Sequence, residues 1–87
     1  MLDQAWELNG SVAIRPEPFG ALLYDFHSRR LTFLKDRRLV AVVEGLAAAP
    51  TVDDALARAG VPEAERPGFG AALDRLAQQR MITRRTS

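Results

Sequence analysis

Arg15-Pro-Glu-Pro-Phe-Gly-Ala-Leu-Leu-Tyr-Asp-Phe-His-Ser-Arg-Arg-Leu-Thr-Phe-Leu-Lys35 sets the architecture of this chain, because it holds two strands and a turn between punctuating residues. Pro16 and Pro18 cannot donate to a strand ladder, so the chain between them is expected to turn a corner, with Gly20 letting the backbone leave it. Ala21 to Asp25 is apolar and aromatic, His27-Ser28-Arg29 makes a polar turn, and Leu31-Thr-Phe-Leu34 resumes extended character. Just upstream, Ser11-Val-Ala-Ile-Arg15 alternates weakly and reads as a first strand, with Val12 and Ile14 on one face.

From Asp36 the period changes. Leu39, Val42, Val43 and Leu46 fall on one helical stripe, Asp36 suits the positive end of that helix, and Pro50 ends it. Thr51 is a good N-cap for a short second helix with Asp54 at its third position, amphipathic through Val52, Ala55, Leu56 and Ala59, and Gly60 supplies a left-handed stop. Pro67 lies too deep for a helix begun at Pro62, so the last helix is expected from about Pro67 to Arg80. Phe69, Leu73 and Leu76, with Met81 beyond, make its buried stripe, and Ala72, Arg75 and Gln79 form a neighbouring one.

The fold class is therefore α+β: a three-stranded antiparallel sheet followed by three helices in a single domain, residues 1–87. Residues 1–10 are expected to be a flexible lead-in and 83–87 a flexible polar tail. The helices must cover one face of so small a sheet. In a meander, one side of the third strand has no partner, and its unpaired amides and carbonyls form a template for another chain. Arg30 and Lys35 bracket that edge, either to protect it or to flank a site where an extended peptide adds a strand.

Composition narrows the chemistry. A domain of 87 residues buries only about 60% of its unfolded surface, so modest stability is expected. With no cysteine there are no disulfides, thiolate ligands or thiol nucleophiles. No apolar run nears the roughly 20 residues of a membrane span, and Met1-Leu-Asp-Gln lacks the basic start of a signal peptide, so a cytoplasmic location without membrane contact is the expectation. Net charge is +1 but uneven, with Arg29, Arg30, Lys35, Arg37 and Arg38 clustered on and beside the third strand. The cluster reads equally as a solvated face or as a device that steers an acidic partner.

Catalytic and cofactor motifs are missing from the pattern. Gly68-Phe69-Gly70 lacks a Walker lysine and a preceding strand, and reads as a helix entry. His27 is the sole histidine, with no second ligand beside it; Asp53-Asp54 point in different directions as helix-start charges. Trp6 and Tyr24 suit either a partner anchor or the core of a small domain. The expectation is a chain with no catalytic residues, no metal and no cofactor.

Arg15-Pro-Glu-Pro-Phe-Gly-Ala-Leu-Leu-Tyr24, then Arg29-Arg30-Leu31 and Phe33-Leu34-Lys35, resemble the signature of the small peptide chaperones of mycofactocin biosynthesis, a branch of the PqqD-like peptide-recognition domains. Trp6-Glu-Leu8 and the three helical segments extend the resemblance loosely over the chain. The resemblance implies a PqqD-like, winged-helix-like fold and a non-catalytic chaperone that binds the leader of a ribosomally made precursor and presents it to a radical-SAM maturase. It further implies that the leader pairs with the third strand, over Arg30, Leu31, Thr32, Phe33 and Leu34, and packs against the last helix, for which Ala72, Arg75 and Gln79 are the candidates. Arg29 and Lys35 are candidates for electrostatic steering. On this reading Thr32→Pro removes a donor from the docking edge.

A winged-helix DNA-binding protein is the competing reading, with Arg75, Gln78, Gln79 and Arg80 on a recognition helix and Arg84 and Arg85 in a tail. Order and charge weigh against it: too few residues follow Arg80 for a wing, and net charge is nearly zero. No nucleic-acid partner is expected.

Overall fold

The computed structural model describes residues 1–85. The chain opens with a short strand β1 (Trp6–Leu8), runs through a meander of β2 (Val12–Glu17), β3 (Gly20–Asp25) and β4 (Leu31–Leu34), and continues into α1 (Arg37–Gly45), α2 (Val52–Arg58) and α3 (Arg66–Gln78) before closing with β5 (Ile82–Arg84). The α+β class and the three-stranded antiparallel sheet, in the order β2-β3-β4, are as the sequence implies.

The first turn is tighter than its prolines suggest. Pro16 does not make a corner; it lies inside β2 opposite Ala21, and the turn is confined to Pro18 and Phe19, because the ladder runs out to Glu17↔Gly20. Phe26 N–H donates to the Ser11 carbonyl at 2.9 Å. By antiparallel alternation Ala13 and Arg15 also bond to β3, so the nitrogen of Pro16 faces outward and no ladder bond is lost. Gly20 is required here: its φ is 149°, and a Cβ would sit 2.0 Å from the Leu34 carbonyl oxygen.

The helices cover one face of this sheet. Ala21, Leu23 and Leu34 meet Val42, Val43, Leu46, Leu56, Leu73 and Leu76 in one core. Asp36 caps α1 by accepting from the Arg38 N–H, and Thr51 caps α2 by accepting from the Asp54 N–H. The ends of α2 and α3 use one device. Val61 N–H reaches back to the Leu56 carbonyl and Met81 N–H to the Leu76 carbonyl, each across a left-handed residue, Gly60 at φ 80° and Arg80 at φ 60°. That stop at Arg80 ends α3 at Gln78, two residues before the boundary expected at Arg80, and α3 begins at Arg66 with Pro67 in its first turn.

The two chain ends depart from expectation. The lead-in 1–10 carries β1, and the start of the tail carries β5, paired antiparallel from Trp6↔Arg84 to Leu8↔Ile82. Val52 N–H and Asp53 N–H donate to the Gln4 and Leu2 carbonyls, so the lead-in also laces onto the start of α2. The physical reason is satisfaction of backbone groups: the strands supply each other's partners, and β1 sets Trp6 and Leu8 against the core. Thr86 and Ser87, the remainder of the expected tail, lie outside the described residues.

Candidate functional site

β4 is an edge strand, paired only with β3 among the described residues. Asp25 N–H donates to the Arg30 carbonyl at 2.9 Å, so alternation directs the backbone of Arg30, Thr32 and Leu34 toward β3 and that of Leu31 and Phe33 toward the open side. This corrects one expectation. The N–H of Thr32 belongs to the internal ladder, and a proline there would break β3–β4 pairing; the donors on the open edge are those of Leu31 and Phe33.

Beside that edge runs a cleft of about 130 Å³ between β4 and α3, lined by Thr32, Phe33, Leu34, Ala72, Arg75 and Gln79, together with Leu39 and Leu76. The helical stripe and the strand singled out from sequence thus share one cavity. Gln79 and Thr32 are joined across it, the Thr32 hydroxyl donating to the Gln79 side-chain oxygen at 2.8 Å. Leu34 is buried and lines the cleft from the core side, whereas Leu31 stands on the outer side of β4 and faces away from the cleft. Arg30 lies before β4 and borders a neighbouring hollow with Asn9, Ser11 and Arg80, which shares Gln79 with the cleft.

Leu39 and Ala72 also line a larger hollow of about 450 Å³ between α1 and the start of α3. The cleft and this hollow therefore adjoin at Leu39 and Ala72, the hollow being lined also by Arg38, Glu65 and Phe69. Arg38 bonds both carboxylate oxygens of Glu65, at 3.0 and 2.9 Å, and lies 5.1 Å from the Phe69 ring centre. Its hydrogen bonds hold the Glu65 carboxyl below the usual range. Sequence reasoning missed this wall, since Arg38 and Glu65 are far apart in the chain; Leu39 was visible only as a member of a core stripe.

The β3–β4 turn is held by Asp25, which is 3% exposed. Its carboxylate accepts from the Ser11 hydroxyl, the His27 N–H and the Ser28 hydroxyl at 2.8–2.9 Å. These bonds, the Ser11 hydroxyl foremost, outweigh burial and lower its pKa to about 2. Arg29 takes φ 63° as the last residue of the turn, its N–H donating to the Asp25 carbonyl. His27 is exposed in this turn and Trp6 is in β1 against the core; neither lines the cleft.

Of the basic cluster, Arg38 is paired with Glu65, and Arg37 donates to the Pro18 carbonyl. Arg29, Arg30 and Lys35 are exposed, with no ion pair to an acid among the described residues. They flank both ends of β4. No group of three or more His, Asp or Glu that could hold a metal occurs among the described residues, and no helix there is long and apolar enough to cross a membrane.

Against known proteins, residues 5–83 match the model of the peptide chaperone MftB family. The chain belongs to that family. It is 49% identical over 80 residues to the peptide chaperone MftB of Mycobacterium ulcerans, covering 92% of this chain and 73% of the relative. The Mycobacterium tuberculosis protein of the same name is 46% identical over 83 residues, covering 95% and 76%, and that of Mycolicibacterium smegmatis is 48% identical over 80 residues, covering 92% and 78%. No solved structure matches. Family membership makes this chain a peptide chaperone and not an enzyme.

Proposed function

We propose that the chain binds the leader of the mycofactocin precursor as an added strand on β4 and presents it to a radical-SAM maturase. The observation that carries this reading is the coincidence of an open strand edge with a cleft. The backbone groups of Leu31 and Phe33 are turned outward, and the cavity lined by Ala72, Arg75 and Gln79 lies alongside. Main-chain pairing supplies affinity, and a pocket for alternate side chains supplies selectivity. Once held, the precursor's core segment is kept at high local concentration beside the enzyme, so the chaperone acts by proximity alone. Arg29, Arg30 and Lys35 around β4 favour an acidic leader.

The experiment is a titration with synthetic leader peptide. Phe33→Pro removes an outward donor and should weaken binding at least tenfold, while Thr32→Ala, which leaves the backbone intact, should stay within about threefold. Circular dichroism must show the proline variant folded; folded Phe33→Pro with native affinity would remove β4 as the docking edge. A winged-helix DNA-binding role draws no support from the order of elements: β5 follows α3 closely and pairs back to β1, where a wing hairpin would be needed.

A further inference from the structure

Alternation along the meander sends Ala13 and Arg15, Leu22 and Tyr24, and Leu31 and Phe33 to the side of the sheet away from the helices. Leu22 stands opposite Phe33 and Tyr24 opposite Leu31. Phe19 leans over from the first turn, its ring centre 5.8 Å from that of Phe33, and Phe26 meets Tyr24 edge-on at 5.1 Å. Phe19, Phe26, Leu31 and Phe33 are 43%, 63%, 55% and 59% exposed. Single exposed apolar residues are ordinary, but a contiguous aromatic surface on so small a domain marks a place where another protein sits.

The charges say what kind of protein. Arg15 lies on this face with its side chain 77% exposed, and exposed Lys35 follows at the β4 border. Glu17, 3.3 Å from Arg15, is the one carboxylate that the alternation places there among the described residues. A second copy of the chain would set one net-basic face against another, whereas a partner with an apolar centre and an acidic rim would complement both features.

We propose that this face docks an acidic-rimmed apolar surface of the maturase that receives the leader, an inference that rests on the peptide-presenting function above. A strand added at β4 projects alternate side chains onto the same face. The enzyme then meets chaperone and leader as one continuous surface, and binds the loaded chaperone more tightly than the empty one.

The test uses the full chain, synthetic leader peptide and the purified radical-SAM maturase. The double variant Phe19→Ser, Phe26→Ser should keep leader affinity within twofold and lose at least tenfold in maturase affinity; Arg15→Glu, with the apolar face intact, should slow association with the maturase. Melting curves check folding, and if the double variant is unfolded, Arg15→Glu decides alone. Native-like maturase binding by a folded double variant, or unchanged association by Arg15→Glu, overturns the proposal. So does a native chain that sediments as a dimer split by the double substitution, which would assign the face to a second copy. A native chain that ignores the leader but loses the maturase on the same substitutions defeats the peptide-presenting function and leaves the docking face standing.

Discussion

β2 and β4 are both edges of one sheet, yet β2 turns outward the backbone of Val12, Ile14 and Pro16, while β4 turns outward that of Leu31 and Phe33. On β2, Pro16 has no N–H, and the N–H of Val12 is spent on the Asn9 carbonyl at 2.8 Å, which leaves Ile14 with the one outward donor of this strand that has no partner among the described residues. On β4 neither outward N–H is bonded within the described chain, and a cleft lies alongside. An edge stays available for pairing by what is omitted as much as by what is added. Natural sheets blunt edges that would otherwise recruit other chains; here one edge is blunted and the other kept open.

The largest break in this comparison is expected from Gly20→Ala. A Cβ there must displace the Leu34 carbonyl and sits at a φ that L side chains rarely adopt, so β4 should be pushed from β3 with a loss of about 2–4 kcal/mol. Chemical denaturation measures it, and a loss under about 1 kcal/mol would show that the sheet accommodates the methyl.

Ala72→Trp acts on the cleft and spares the edge. Ala72 is half-buried and lines both hollows, so the indole should fill them, weakening leader binding at least several-fold with melting temperature little changed. Lost stability of about 1–3 kcal/mol would instead mark overpacked core, and intact stability with native affinity would show that the leader does not use the cleft.

A smaller effect is expected from salt. If Arg29, Arg30 and Lys35 steer an acidic leader, stopped-flow association should slow as the Debye length falls from about 10 Å at 0.1 M to about 3 Å at 1 M, with dissociation nearly constant. Association rates flat across that range would leave the cluster as a solvated face.

Pro16→Thr should do least. It restores a donor to the β2 edge, on the opposite side of the sheet from the β4 cleft, so leader affinity and stoichiometry should stay within twofold of native. A second leader bound per chain, seen by calorimetry, would show that an open edge suffices without the cavity.

Much of this was legible along the chain because the signals are local. The Asp36 and Thr51 caps, the Gly60 stop and the Phe69, Leu73, Leu76 stripe each depend on neighbours within a turn or two, and each appears where the pattern places it. Pro16 misled because a proline marks a missing donor and not by itself a bend; which side of the strand the nitrogen faces is settled by register. The left-handed residue at Arg80 was hidden, since that conformation is usually glycine's.

The sequence by itself determined the class of fold, the three strands and three helices in order, the stripe Ala72, Arg75, Gln79 and the absence of thiol chemistry, because hydrophobic period, caps and composition are properties of short windows. Tertiary structure alone decided three further things. It paired β1 with β5 from opposite ends of the chain, chose Leu31 and Phe33 over Thr32 as the outward backbone, and brought Arg38, Glu65 and Phe69 into one wall beside the cleft. Each depends on residues distant in sequence meeting in one register, and a window that sees only near neighbours carries no information about that meeting.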